Sequence, residues 1–323
     1  MSDIEHILNE RILVLDGAMG TMIESYRPNE ALFRGELLAK HYTNLLGCYD
    51  ILSITAPQII EQVHRQYLDA GADIITTNTF NANAISLASY NLQDMAGEIN
   101  RTAATLACRI ANDYTKSDPN KPRFVAGSVG PTILNCSTTP SHTATLYRAY
   151  LEQITALIAG GVDILLFETI CDLNNIIVAL QAAEYAMKRT GCNLPIMLSI
   201  TTTTSDTMLS GHSIDNFLSS ISHLHPLSVG INCSIGASPI LPLLRSWSST
   251  LPYYISAHPS AGLPNKDGFY DTAAQEIAAD IQPYITEGLV NIVGGCCGTT
   301  PELTALLCQS VKGVTPRIPR TKQ

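Results

Sequence analysis

The chain is poor in charge. Asp, Glu, Lys and Arg make up 15% of its 323 residues against 46% hydrophobic residues, the balance of a compact globular protein. Positive charge is the scarcer sign, with 19 Lys and Arg against 28 Asp and Glu and a net charge of −9. No basic cluster exists, so partnership with nucleic acid or an anionic membrane surface is not expected. No uninterrupted apolar run approaches the roughly 18 residues of a membrane span. The opening MSDIEHILNE is polar and lacks the apolar stretch of a signal peptide, so a cytoplasmic location is expected. Nine cysteines, an odd number at irregular spacings, fit free thiols or a metal site in a reducing compartment better than a disulfide framework.

The hydrophobic pattern changes period repeatedly. Short apolar runs occur at ILVLDGA (12–18), DIITTNTF (73–80), RFVAGSVGP (123–131), DILLFETI (163–170), PIMLSIT (195–201), LSVGINCS (227–234), PYYISAHPS (252–260) and LVNIVGGCC (289–297). Runs this short and rich in Ile, Val, Leu and Thr predict strands buried on both faces. The stretches between them predict helices. In PQIIEQVHRQYLDAGAD, Ile59, Ile60, Val63, Tyr67 and Leu68 share one face, Pro57 suits the first turn, and Gly71 suits the end. The order helix, glycine stop, strand recurs before the second, fourth, fifth and eighth strands. Eight such units predict an α/β fold, a closed (β/α)8 TIM barrel. An open doubly wound sheet is the alternative, but DGAMGT (16–21) is no G-x-G-x-x-G fingerprint. No internal linker stands out, so residues 1–312 are expected to form one barrel, with 313–323, Pro-rich and basic, as a flexible tail.

The unusual residues fall at the strand ends, which a barrel gathers on the one face that carries active sites. These are Asp16 and Gly17, Asn78 and Thr79, Glu168 and Thr169, Asn232 and Cys233, His258, and Cys296 with Cys297. A disulfide between adjacent cysteines is disfavoured, because their Cα atoms lie about 3.8 Å apart and a bridge wants about 4.4–6.8 Å. Gly294, Gly295 and Gly298 permit a bend that turns Cys296 and Cys297 towards one point, and Cys233 joins them from two strands away. Three thiolates suit Zn²⁺ and leave a fourth position open for a substrate thiol, which the metal would hold as thiolate. Thr300 and Pro301 read as the start of the following helix. Cys48, Cys108, Cys136, Cys171, Cys192 and Cys308 read as buried structural thiols. Asp16 either belongs to the site or braces the Gly17 turn. Glu168 follows an apolar run and needs a cationic partner, for which a substrate ammonium is a candidate. His258 is either a metal ligand or a hydrogen-bonded structural histidine. Asn78 and Thr79 either meet substrate or cap the rim.

DGAMGT (16–21), ADIITTNTFNAN (72–83), LLFET (165–169), GINCSIG (230–236), AHPSAGLPN (257–265) and VGGCCGTTPE (293–302) resemble the homocysteine S-methyltransferase family. The resemblance covers nearly the whole chain. TNTFN and AGLPN favour the homocysteine-binding module of cobalamin-dependent methionine synthases over the betaine and S-methylmethionine branches. It implies a TIM barrel with zinc on Cys233, Cys296 and Cys297, homocysteine sulfur as the fourth ligand, and the amino-acid end held by Asp16, Gly17 and Glu168, with Asn78 also at the substrate. It further implies attack of the zinc-held thiolate on a methyl group to give methionine. Three departures follow. Ser260 stands where the family often has Asn near the metal, the segment after GPT (130–132) is short, and no folate-binding barrel or D-x-H-x-x-G cobalamin motif is present. Methylcobalamin is therefore expected in trans, from a corrinoid protein or separately supplied cobalamin and folate domains. S-methylmethionine or betaine as donor, a homocysteine-holding subunit inert without its corrinoid partner, and a methyltransferase for another thiol are the alternatives.

Overall fold

A computed structural model of the chain describes residues 3–134, 142–202, 207–234, 236–266 and 268–320. Each predicted apolar run contains a strand: β1 (Leu13–Val14), β2 (Ile74–Thr76), β3 (Phe124–Val129), β4 (Ile164–Ile170), β5 (Ile196–Ile200), β6 (Ser228–Cys233), β7 (Tyr254–Pro259) and β8 (Ile292–Val293). All pair in parallel, in the order β1-β8-β7-β6-β5-β4-β3-β2. The ring closes between β1 and β2 through the Leu15–Ile74 bridge, with Asp16 N donating to Ile74 O at 2.9 Å and Asp73 N to Val14 O at 2.8 Å. With helices between the strands, this is a (β/α)8 barrel.

The near-absence of polar alternation in the strands has a direct cause. Leu13, Leu15, Ile74, Ala126, Ile164, Leu166, Met197 and Ile292 fill the barrel interior. The intervening Val14, Ile75, Val125, Leu165, Leu198, Val229, Ile255 and Val293 pack outward in the second core, shared with the helices. Both strand faces are dry, so both are apolar. The helix Asp3–Glu10 contributes Ile4 and Leu8 to the inner cluster and so joins the N-terminal end of the barrel to its core.

The helix Pro57–Asp69 has Pro57 in its first turn and buries the five residues expected, together with His64. Gly71 lies at φ +107°, and Gly161 and Gly191 cap their helices at φ +91° and +69°. Such angles are open to glycine at little cost. The connection from β1 to β2 departs from one helix per strand: Met19–Ser25, Glu30–Arg34 and Leu52–Thr55 precede Pro57–Asp69. Met19, Gly20 and Thr21 of the first piece, with Tyr49 and Asp50 just before Leu52–Thr55, form one wall of the mouth.

Within residues 313–323, expected to form a flexible tail, Arg317 packs against the barrel. It is 5% exposed and donates to Ser248 O (3.0 Å), Tyr253 O (2.7 Å) and Leu251 O (2.5 Å), while Asn291 Nδ2 donates to its carbonyl. A guanidinium with several fixed donors anchors this stretch on backbone carbonyls near the foot of β7. Among the described residues, no helix is long and apolar enough to cross a membrane.

Candidate functional site

The parallel strands bring the predicted cysteines together. Cys233 ends β6 at φ +54°, followed by Ser234 at +61°. Non-glycine residues adopt this region seldom, and here two in succession turn the chain at the strand end. Beyond β8, the backbone bends between neighbours that hold it at each step. Gly294 N donates to Ala257 O (3.0 Å), Gly295 N to Asp16 O (3.0 Å) and Cys296 N to Pro259 O (2.9 Å). Thr299 Oγ1 closes the turn on Cys296 O at 2.7 Å. A Cβ on Gly295 would lie 2.2 Å from Thr299 Oγ1, so this close approach admits only glycine. The Sγ–Sγ distances are 2.8 Å for Cys233–Cys296, 3.6 Å for Cys233–Cys297 and 4.0 Å for Cys296–Cys297. A tetrahedral zinc with Zn–S of about 2.3 Å places its sulfurs about 3.8 Å apart. Two of the three separations match, and the third has to open by about 1 Å. Three convergent thiols from two strand ends thus fit the ion. Among the described residues, this is the group of His, Cys, Asp or Glu able to hold a metal.

The sulfurs are not left bare. Asn232, buried beside Cys233, points its amide at Cys296 Sγ (3.7 Å) and at Thr169 Oγ1 (2.8 Å), while its oxygen accepts from Thr169 N and Ser199 Oγ. The Cys297 thiol is held well below the ordinary thiol range, first by hydrogen bonding from Cys233, then from Cys296. Cys296 is pushed up, first by its bond with Cys233. The cluster thus favours negative charge on Cys297, its most exposed member.

The thiols form one wall of a cavity of about 210 Å³ that is also lined by Asp16, Asp50, Asn78, Glu168 and His258 and, among the described residues, by no lysine or arginine. Burial pushes the Asp16 carboxyl well up, offset by hydrogen bonds from Thr76 N (2.7 Å) and Thr76 Oγ1, and reinforced by the charge of Glu168. Burial likewise raises Glu168 to about 7, against a 2.5 Å bond from Ser128 Oγ and with repulsion from Cys297. Glu168 stands where the β4–β5 register shifts, next to Thr169 at φ +57°. Among the described residues, no Lys or Arg lines the cavity with Asp16, Asp50 and Glu168, a lining suited to a cation.

Gly17 serves close approach: a Cβ there would lie 2.7 Å from Thr299 Oγ1 and 2.9 Å from Tyr67 Oη. The turn it permits is stitched to the cysteine turn by Gly295 N on Asp16 O, Ala18 N on Thr299 Oγ1 and Gly298 N on Thr21 Oγ1. Asn78 lines the cavity, but its amide donates to Tyr49 O (2.8 Å) and Ser53 Oγ (3.2 Å) and so pins the wall. Thr79 braces the rim through Ser128 O. His258 lines the same cavity. It lies outside the thiol cluster, and neither ring nitrogen has a hydrogen-bond partner among the described residues; burial lowers its pKa to about 3, so it is neutral. Ser260 directs its hydroxyl at Ser234 O and Gly262 O, both 3.0 Å. Of the cysteines expected to be buried, Cys48 is; Cys108, Cys171, Cys192 and Cys308 are only partly covered, and Cys136 lies outside the described residues. Cys108 and Cys171 instead donate to the carbonyls of Gly161 and Thr169 at the edges of the core.

Sequence reasoning missed Asp50, Thr76, Ser128 and Tyr270. Thr76 and Ser128 stand on predicted strands, and inward alternation from Ile74 and Ala126 could have found them. Asp50 and Tyr270 come from irregular segments that carry no periodic signal.

The family model for homocysteine S-methyltransferase matches residues 13–311. Among solved structures, the chain is similar to the metallated form of the homocysteine methyltransferase MmuM from Escherichia coli, with 21% identity, a TM-score of 0.73, and coverage of 94% of this chain and 98% of that one. The oxidized form of the same protein matches at 21% identity and a TM-score of 0.72, over 92% and 95% of the two chains. At this identity the structural likeness establishes the shared barrel, and the family match carries the rest.

Proposed function

Because the chain belongs to the homocysteine S-methyltransferase family, we propose that this methyltransferase uses a zinc ion held by Cys233, Cys296 and Cys297 and converts homocysteine to methionine. The observation that carries the reading is the convergence of three thiols on the wall of a cavity that also holds the carboxyls of Asp16, Asp50 and Glu168. A zinc ion there would lower the pKa of a substrate thiol so that it reacts as thiolate near neutral pH. Glu168, aided by Asp16, would take the substrate ammonium, and the cavity these acids share with the thiol centre would place the substrate sulfur beside it. The substrate sulfur then forms a bond to the donor methyl carbon as the carbon–donor bond breaks, with the electron pair leaving on the donor. The walls around Gly17 and Asn78 restrict water during that displacement.

For the donor we propose methylcobalamin presented by a separate corrinoid protein or domain, supported by TNTFN (77–81) and AGLPN (261–265). A cytoplasmic location goes with this reading. One observation favours a second donor class. Asp50, raised to about 6 by burial, lines the same cavity with Tyr49 and Phe80, and a carboxylate among aromatic rings suits an onium methyl donor such as S-methylmethionine or betaine.

The test is methionine formation by the zinc-loaded chain from homocysteine with methylcobalamin, S-methylmethionine or betaine in parallel. Turnover with methylcobalamin supports the first reading, and turnover with an onium donor alone supports the second. Homocysteine uptake without turnover points to a binding subunit that needs its partner. The metal centre is tested separately: the folded wild type should carry about one zinc per chain and Cys296→Ser well under half of that. A folded chain that takes up no metal ends the proposal.

A further inference from the structure

Asn232, the residue before Cys233 on β6, stands where the two halves of the cavity meet. Ile231 packs outward among the helices, so by alternation Asn232 faces the barrel interior, where it has no accessible surface. An amide so buried has two donors and two acceptor positions to satisfy. Its Oδ1 accepts from Thr169 N and Ser199 Oγ, both at 2.8 Å, and its Nδ2 donates to Thr169 Oγ1 at 2.8 Å and to Cys296 Sγ at 3.7 Å. Thr169 N can only donate, so it fixes which end of the amide faces it and leaves the amide nitrogen for the sulfur. Thr169 thus receives a clamp of two bonds. It is a β-branched residue at φ +57°, next to Glu168, where the β4–β5 register shifts. A threonine keeps such a backbone only where its surroundings hold it. Asn232 supplies that hold, and with it steadies the segment that carries the Glu168 carboxyl into the cavity.

We propose that Asn232 is a positioning residue that ties the acid half of the site to the thiol half, its one amide fixing the Glu168–Thr169 bulge and orienting Cys296 Sγ. The sheet topology explains why a side chain has this task. β4 and β8 are not neighbours, so their ends cannot hold each other through the strand ladder. β6 lies midway between them, and Asn232 reaches both. A donor to a ligand sulfur orients it and moderates the charge it gives to a bound metal. A substrate with an ammonium at one end and a thiol at the other has to match the span from Glu168 to the thiol centre, and this amide keeps that span constant.

This inference rests on the metal and ammonium readings above, and each half is measured with the other empty. Cobalt(II) is loaded without amino acid, and its affinity and thiolate-to-cobalt charge-transfer band are recorded. Methionine binding is measured calorimetrically on the metal-free chain. The wild type is compared with Asn232→Leu, which keeps the branched shape, Asn232→Ala, which adds no bulk, and Ser199→Ala, which cuts the arm that touches neither half. A wild type without the band refutes the metal reading, and one that binds no methionine refutes the ammonium reading. With both present, an Asn232 variant whose circular dichroism is intact should show the band at lower energy, because a sulfur freed of its donor gives more charge. Its cobalt binding should weaken roughly 10-fold or more, and its methionine binding roughly 3–10-fold. Ser199→Ala should keep the band and stay within about twofold in both affinities. A folded Asn232 variant that moves one half and leaves the other at wild-type values overturns the proposal, and so does one that moves neither.

Discussion

Glu168 shows how one side chain couples burial to binding. Its carboxyl is raised to about 7 because burial disfavours its charged form, with Cys297 adding repulsion. A substrate ammonium requires the ionised form. Affinity for an amino acid should therefore rise with pH towards about 7, level off above it, and fall by up to about tenfold per unit below it. Methionine is the suitable probe, because it has the ammonium but no titratable thiol. Calorimetric titration from about pH 5.5 to about 8.5 should show this profile in the wild type, and Glu168→Gln should bind roughly 10–100-fold more weakly with a flatter profile. A wild-type affinity independent of pH would remove Glu168 from the ammonium site.

At the scale of the element, the decisive piece is the turn after β8. It presents two adjacent side chains to one point, which a regular strand cannot do, since neighbours alternate in direction. Glycines allow the close approach, Thr299 locks it, and the DGAMGT turn lies against it. Gly295→Ala would set a methyl group 2.2 Å from Thr299 Oγ1. The expected result is a chain that keeps its barrel, loses about 1–3 kcal/mol of stability, and holds markedly less zinc. Metal analysis beside a circular dichroism melt checks this, and full metal content at wild-type stability would show the turn to be slack.

On the scale of the whole molecule, the barrel separates chemistry from cohesion. The thiols and cavity acids lie at the C-terminal strand ends, whereas the opposite end carries Asp73, 1% exposed, held by two 2.9 Å bonds from Arg11 and one from Val14 N. Arg11→Met would leave that buried carboxylate with Lys121 at 3.8 Å as its remaining charge partner. A loss of about 1–3 kcal/mol is expected, with zinc content unchanged. Thermal melts and metal analysis would decide it; loss of metal in step with stability would show that the two ends are not independent.

The sequence by itself determined the eight strands, their parallel order and the three thiols, because these rest on local signals: apolar runs buried on both faces, glycine stops, and cysteines at run ends. Once the strands are parallel, residues such as Cys233 and Cys297 must meet at one mouth however far apart they stand in the chain. Only the tertiary structure decided where the non-periodic segments send their side chains. Asp50 enters the cavity because the segment between β1 and the helix Pro57–Asp69 passes over it, and Tyr270 packs on Gly298 because Asn265 turns its loop back. Asn78 proves to be tied to the wall, His258 is without a hydrogen-bond partner among the described residues, and Arg317 anchors a stretch that composition alone reads as loose. Each of these outcomes depends on which carbonyl or hydroxyl from a distant segment lies within hydrogen-bond reach, and a one-dimensional pattern does not carry that distance.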